Sequence, residues 1–109
     1  MQMSETEAGR GTALALDGRL DSVTAPEVEA RLLALLARGP VVADLAAVRY
    51  VSSAGLRVLL KAAKQAKAAE TRFAVCGLQA AVREVFEVSG FDRIIPAFAT
   101  LDEAGAILG

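Results

Sequence analysis

Apolar and polar positions follow one another in blocks along this chain, and the period of each block predicts its element. "TALAL" (12–16) is a short apolar stretch followed by "DGRLD" (17–21), where Asp17-Gly18 is a turn signal. Residues 1–7 ahead of it are a candidate edge strand. Over "TAPEVEARLLALLARG" (24–39) the period becomes helical, with Val28, Leu32, Leu35 and Leu36 on one face. Thr24 and Glu27 have capping-box spacing, Pro26 lies in the first turn and Gly39 follows as a stop. "VVADL" (41–45) predicts a short strand closed by an acid. After "SSAG" (52–55), Leu56, Leu59, Leu60, Ala63 and Ala66 predict the buried face of a second helix, with Arg57, Lys61 and Lys64 on the opposite side.

"RFAVCG" (72–77) reads as another buried strand. "QAAVREVFEVSG" (79–90) predicts a short helix with Val82, Val85, Phe86 and Ser89 near one face and Gly90 as its C-cap. "RIIPAF" (93–98) is a final short strand, where Pro96 suits an edge or a strand end. "TLDEAGAILG" (100–109) is a terminal helix with Thr100 as cap and Glu103 at box spacing. Strands alternating with helices predict an open α/β sheet with right-handed crossovers, partly parallel. Function in such sheets gathers at the carboxyl ends of the strands. Asp44 and the SSAG stretch are expected at one of those ends.

Composition narrows the classes. At 109 residues the chain is expected to be one domain. Its 54% hydrophobic content suffices for a core without disulfides or a structural metal. With no Trp, Leu, Val and Ala must fill that core. A net charge of −1 argues against nucleic-acid binding, which needs a clustered basic excess. The absence of His removes the commonest general base and metal ligand. Cys76 sits in an apolar strand and reads as a small hydrophobe rather than a nucleophile. The opening "MQMSETEAGR" is polar and acidic, unlike a signal peptide, and no apolar run approaches the ~20 residues that span a bilayer. A soluble, cytoplasmic protein without membrane insertion is expected.

"YVSSAGLRVLL" (50–60) holds the candidate chemistry. Ser52 or Ser53 could cap the following helix, a role whose loss to Ala costs roughly 1 kcal/mol. Capping needs one serine, and this turn has two. A hydroxyl at a helix start also suits phosphorylation, since a phosphate there meets unpaired N–H groups and the positive end of the helix dipole. A hydrolase reading fails, because "SSAGL" lacks the G-x-S-x-G glycine and no His can act as base. No glycine loop cradles a phosphate, no cofactor is implied, and an enzyme is not expected. Asp21 and Asp44 are either turn or cap acids, or carboxylates near the serine that orient its hydroxyl or a kinase's metal ion. Gly55 permits close backbone approach. Arg57, Lys61 and Lys64 form either a solvated face or a docking surface for an acidic partner.

Together these residues resemble the STAS domain family, particularly the bacterial anti-sigma factor antagonists, over nearly the whole chain. "GRLDSVTAPEVEARL" is similar to the family's G-x-L-D turn and first helix. "VVADLAAVRYVSSAGLRVLL" is similar to its D-L-(small)-x-V-x-(aromatic)-(aliphatic)-[DS]-S-[SA]-G-L signature. "RFAVCGLQAAVREVFEVSGFDRII" resembles the later strand, the helix with its Phe and the S-G-hydrophobic exit. The resemblance implies a single STAS-like domain over 1–109, with a four- to five-stranded mixed sheet and about four helices, mostly on one face. It implies an unphosphorylated form that binds an anti-sigma serine kinase and so releases a sigma factor. Phosphorylation by that kinase separates the pair, and a PP2C-type phosphatase resets the cycle.

Aligned on Gly55, the phosphorylated position falls on Ser53, with Asp21 and Asp44 matching acids around it. Ser52, Ala54, Arg57, Lys61 and Lys64 are the implied partner surface. Ser52 stands where many members have Asp, which makes it a competing acceptor, and Ala54 stands where many have a second Ser. Two alternatives share the fold: a subunit docking on an ABC transporter ATPase, and a module of another signalling complex.

Overall fold

In the computed structural model, which describes residues 1–108, five strands lie in the order β1-β2-β3-β4-β5. These are β1 (Gln2–Ala8), β2 (Gly11–Leu20), β3 (Val41–Val51), β4 (Phe73–Cys76) and β5 (Ala97–Phe98). β1 and β2 form an antiparallel hairpin, turned at Gly9 with φ +59°. The other pairings are parallel, so the sheet is mixed. Helices α1 (Ala25–Leu36), α2 (Ser53–Ala68), α3 (Ala80–Ser89) and α4 (Leu101–Leu108) complete the fold. Gly109, the last residue of the predicted terminal helix, lies outside the described residues.

Period-2 alternation sends Leu14, Leu16, Val41, Ala43 and Leu45 to one face of the sheet, where Val28, Leu32, Leu59 and Phe86 of α1, α2 and α3 cover them. Ala13, Val42 and Cys76 point to the other face, against Ala104 and Leu108 of α4. Three helices therefore share one face and α4 alone covers the second. The edge strand, the Gly90 C-cap (φ +77°) and the Thr100 cap, whose Oγ1 accepts from Glu103 N at 3.2 Å, form as the pattern predicts. Among the described residues no helix is long and apolar enough to cross a membrane.

Several elements differ from expectation. Asp17-Gly18 does not end the strand. The register between β2 and β3 shifts on either side of this dipeptide, and β2 runs on to Leu20 through a bulge with Gly18 at φ +125°. The Thr24–Glu27 box does not form, because Asp21 takes over the helix entrance. β3 continues six residues past Leu45. Beyond Asp44 it has lost β4 as a neighbour and pairs with β2 alone, so exposed Arg49 and Tyr50 interrupt the apolar pattern. The buried face of α2 is Gly55, Val58, Leu59, Ala62 and Ala66, rotated from the predicted set; Leu56, Leu60 and Ala63 are only partly buried. The final strand shrinks to Ala97–Phe98 because Phe91–Arg93 form a 3-10 turn.

Candidate functional site

The parallel strands β2 and β3 extend together past the end of β4, and α2 begins where they stop. Ser52 N donates to Leu20 O at 2.9 Å, which ties the end of one strand to the other. Ser52 is extended (φ −85°, ψ 176°), and its Oγ accepts from Gly55 N at 3.2 Å. Its carbonyl accepts from Leu56 N at 2.9 Å, the first turn of the helix. Ser52 is therefore the N-cap.

Ser53 is the first helical residue and is exposed, and its hydroxyl takes no hydrogen bond among the described residues. The two serines are thus not redundant: one is occupied in capping and the other is presented to solvent. Gly55 makes the packing possible, since a Cβ there would lie 2.5 Å from Leu20 O and 2.8 Å from Leu20 Cγ.

Asp21 follows Leu20 directly and holds the entrance to α1. Its Oδ1 accepts from Val23 N at 3.0 Å and Thr24 N at 3.2 Å, and its carbonyl accepts from Ala25 N at 2.8 Å. Thr24 Oγ1 instead donates to Arg19 O at 2.8 Å. The Thr24 N–H bond, followed by that of Val23 and the Arg19 guanidinium, holds the Asp21 carboxyl below its ordinary range. Arg19 also stacks on Tyr50, 4.3 Å from the ring centroid. Leu20 thus links Asp21 to the serine turn through one shared stretch of backbone.

Asp44 sits elsewhere. It pairs in register with Cys76, and its Oδ1 accepts from Ala46 N at 3.0 Å. Burial first, and then the Asp44 charge and hydrogen bond, push the Cys76 thiol up to about 12. No hydrogen bond or ion pair among the described residues joins Asp44 to Ser52 or Ser53.

Beside the serine turn, α1 and α2 leave a groove of about 540 Å³. Ala54, half-buried, lies at its upper end, and Arg57, Lys61 and Lys64 stand along one rim. Lys61 Nζ reaches Glu29 Oε2 of α1 at 3.2 Å. Sequence reasoning missed Glu29, the Arg19–Tyr50 stack and Val23. The last is 85% exposed on the turn between β2 and α1, an apolar residue at a position that a turn would normally give to a polar one.

The STAS domain family model matches residues 3–104. BtrV of Bordetella bronchiseptica, named as a candidate anti-sigma factor antagonist, is 43% identical over 93 residues, covering 84% of this chain and 80% of that protein. RsfB of Mycobacterium tuberculosis, an anti-sigma-F factor antagonist, is 31% identical over 94 residues, covering 84% and 75%. The crystal structure of an anti-sigma factor antagonist from Mycobacterium paratuberculosis superposes with a TM-score of 0.87 at 27% identity, covering 98% of this chain and 92% of that one. The serine turn, the five-stranded mixed sheet and these relatives agree: the chain belongs to the STAS domain family, among the anti-sigma factor antagonists.

Proposed function

We propose that this chain is a phospho-switched binding module acting as one STAS domain over residues 1–109, without catalysis of its own. Its unphosphorylated form binds an anti-sigma serine kinase and frees the sigma factor; phosphorylation at Ser53 ends the complex, and a PP2C-type phosphatase restores it. The observation that carries this reading is the division of labour in the turn. Ser52 Oγ is committed to Gly55 N at 3.2 Å, while Ser53 is exposed with its hydroxyl unpaired among the described residues. A kinase can reach the second hydroxyl without undoing the cap.

The phosphoserine would carry roughly −1.5 to −2 charges. Placed beside Ala54 and the groove, it would enter the partner interface formed by Ser52, Ala54, Arg57, Lys61 and Lys64. Burying that dianion costs desolvation and adds repulsion against partner acids, which separates the pair. Asp21 lies one residue beyond the Leu20 carbonyl that holds Ser52 N, which supports its reading as an acid that meets a kinase's metal ion. Asp44 acts at most through its strand, from the neighbourhood of Cys76. A cytoplasmic setting goes with this role. BtrV and RsfB, whose names make them antagonists of anti-sigma factors, support the choice of partner.

The test has two steps. Wild type and Ser53→Asp are used as baits in native lysate with Mg²⁺ and ADP, and the retained kinase is purified and titrated with both. The same kinase with ATP is then given wild type, Ser52→Ala and Ser53→Ala, and the modified residue is mapped by mass spectrometry. The expected result is binding lost in Ser53→Asp and phosphate on Ser53, absent from Ser53→Ala and retained in Ser52→Ala. Phosphate on Ser52, equal affinity of both baits, or an ABC ATPase held equally by both would overturn the reading.

A further inference from the structure

We infer that the groove between α1 and α2 seats an acidic amphipathic helix of the partner. The inference rests on the reading above, that the partner is a kinase bound by this surface. The floor and walls of the groove are apolar: Ala25, Pro26, Ala54, Val58 and Leu60. Arg57, Lys61 and Lys64 rise from one helix at intervals of four and three residues and span about 10 Å along α2. A helix lying along the groove with acids at the same spacing would meet all three while its apolar side covers the floor.

One of the three cations already shows the fit. Glu29, on the opposite wall, reaches Lys61 at 3.2 Å, so a carboxylate can sit across this groove. Arg57 and Lys64 have no ion-pair partner among the described residues. The rim therefore carries two uncompensated positive charges in a chain whose net charge is −1. The Glu29–Lys61 pair bridges the two walls of the groove in the unbound chain, and a partner carboxylate replaces Glu29 on Lys61.

The chain's own lysines allow a direct test. Lys61, Lys64 and Lys67 are its only lysines, all on α2, and Lys67 lies outside the groove. The purified kinase that wild type retains and Ser53→Asp loses is mixed with the full chain and a zero-length carbodiimide, which joins amines only to carboxylates in contact. Cross-links are expected from Lys61 and Lys64 to partner Asp or Glu residues three or four apart on a helix, with none from Lys67. The Glu29–Lys61 link of the unbound chain should fade as kinase is added. Arg57→Glu with Lys64→Glu should raise Kd about tenfold or more and flatten its salt dependence, with unchanged Tm.

Changing a cross-linked partner acid to Lys should recover binding to the doubly reversed chain. If the kinase binds wild type and the doubly reversed chain equally, or cross-links at Lys67 or to a non-helical loop, the groove assignment falls and the switch reading stands. If no kinase binds wild type, both fall.

Discussion

Ser52 Oγ stands 3.2 Å from Gly55 N, so the first of two adjacent serines is spent on holding the helix while the second is left exposed. The two positions should therefore respond differently to the same substitution. Ser52→Ala leaves the Gly55 N–H without its acceptor and should cost about 1 kcal/mol, roughly 4–8 °C in Tm for a domain of this size. Ser53→Ala removes a hydroxyl that bonds to nothing in the described chain, and should stay within about 0.5 kcal/mol of wild type. Urea unfolding of both variants checks this. Equal losses would mean that the cap is shared between the serines.

Gly55→Ala tests the contact on the glycine's other side. In an open helix the change gains up to about 1 kcal/mol of helix propensity. Here the new Cβ would lie 2.5 Å from the Leu20 carbonyl oxygen, and backbone cannot swing aside as a side-chain tip can. The start of α2 must shift away from β2, which weakens the Ser52 N–Leu20 O bond and the cap together. A net destabilisation of about 1–3 kcal/mol is expected, the usual cost of overpacking. A variant as stable as wild type would show that α2 can move outward freely.

Much of this arrangement is legible in the sequence. The helical period of Val28, Leu32, Leu35 and Leu36 located α1, and the small residues at 52–55 located the turn, because both signals are local. The errors have a common cause in tertiary context. Asp17-Gly18 has the chemistry of a turn, but parallel pairing with β3 carries the strand through it as a bulge. Thr24 and Glu27 have box spacing, yet Asp21 takes the Thr24 N–H that Glu27 would reach back to, and Thr24 Oγ1 turns to the Arg19 carbonyl, from a strand end that the local pattern could not place. The face of α2 rotated because Gly55, without a side chain, reads as neutral in an apolar count while the Leu20 contact makes it buried. A strand ending at Leu45 would put Asp44 at the same strand end as the serine turn, one of the two readings its sequence allows. The six further residues carry the turn away from it.

Cys76 offers a test of the sheet's other face. Its thiol is buried on β4 in the cluster covered by α4 and is pushed up to about 12, first by burial and then by Asp44. At mildly alkaline pH it should react with a disulfide reagent only after denaturant is added, since the thiolate is the nucleophile. Asp44→Asn removes the charge and should lower the thiol's pKa, while burial keeps it above the ordinary value of about 8.5. Rapid labelling of the native wild type would show that this face opens readily.

Asp21 gives the pH dependence its sign. Its folded pKa lies below the ordinary value of 3.8, so the unfolded chain takes up a proton first as the pH falls. The stabilisation is complete above the unfolded value and is lost as pH drops through the lower folded one. Asp21→Asn keeps an oxygen that accepts from Val23 N and Thr24 N but cannot titrate, whereas Asp21→Ala removes the acceptor at every pH. Urea midpoints followed from neutral pH down to about pH 3 should therefore fall less steeply for Asp21→Asn than for wild type. The Asp21→Ala curve should lie lowest at neutrality, where both the cap at the entrance to α1 and the Arg19 contact are lost. Parallel curves for wild type and Asp21→Asn would mean that the acid limb belongs to other carboxylates, and that Asp21 acts only as a hydrogen-bond acceptor.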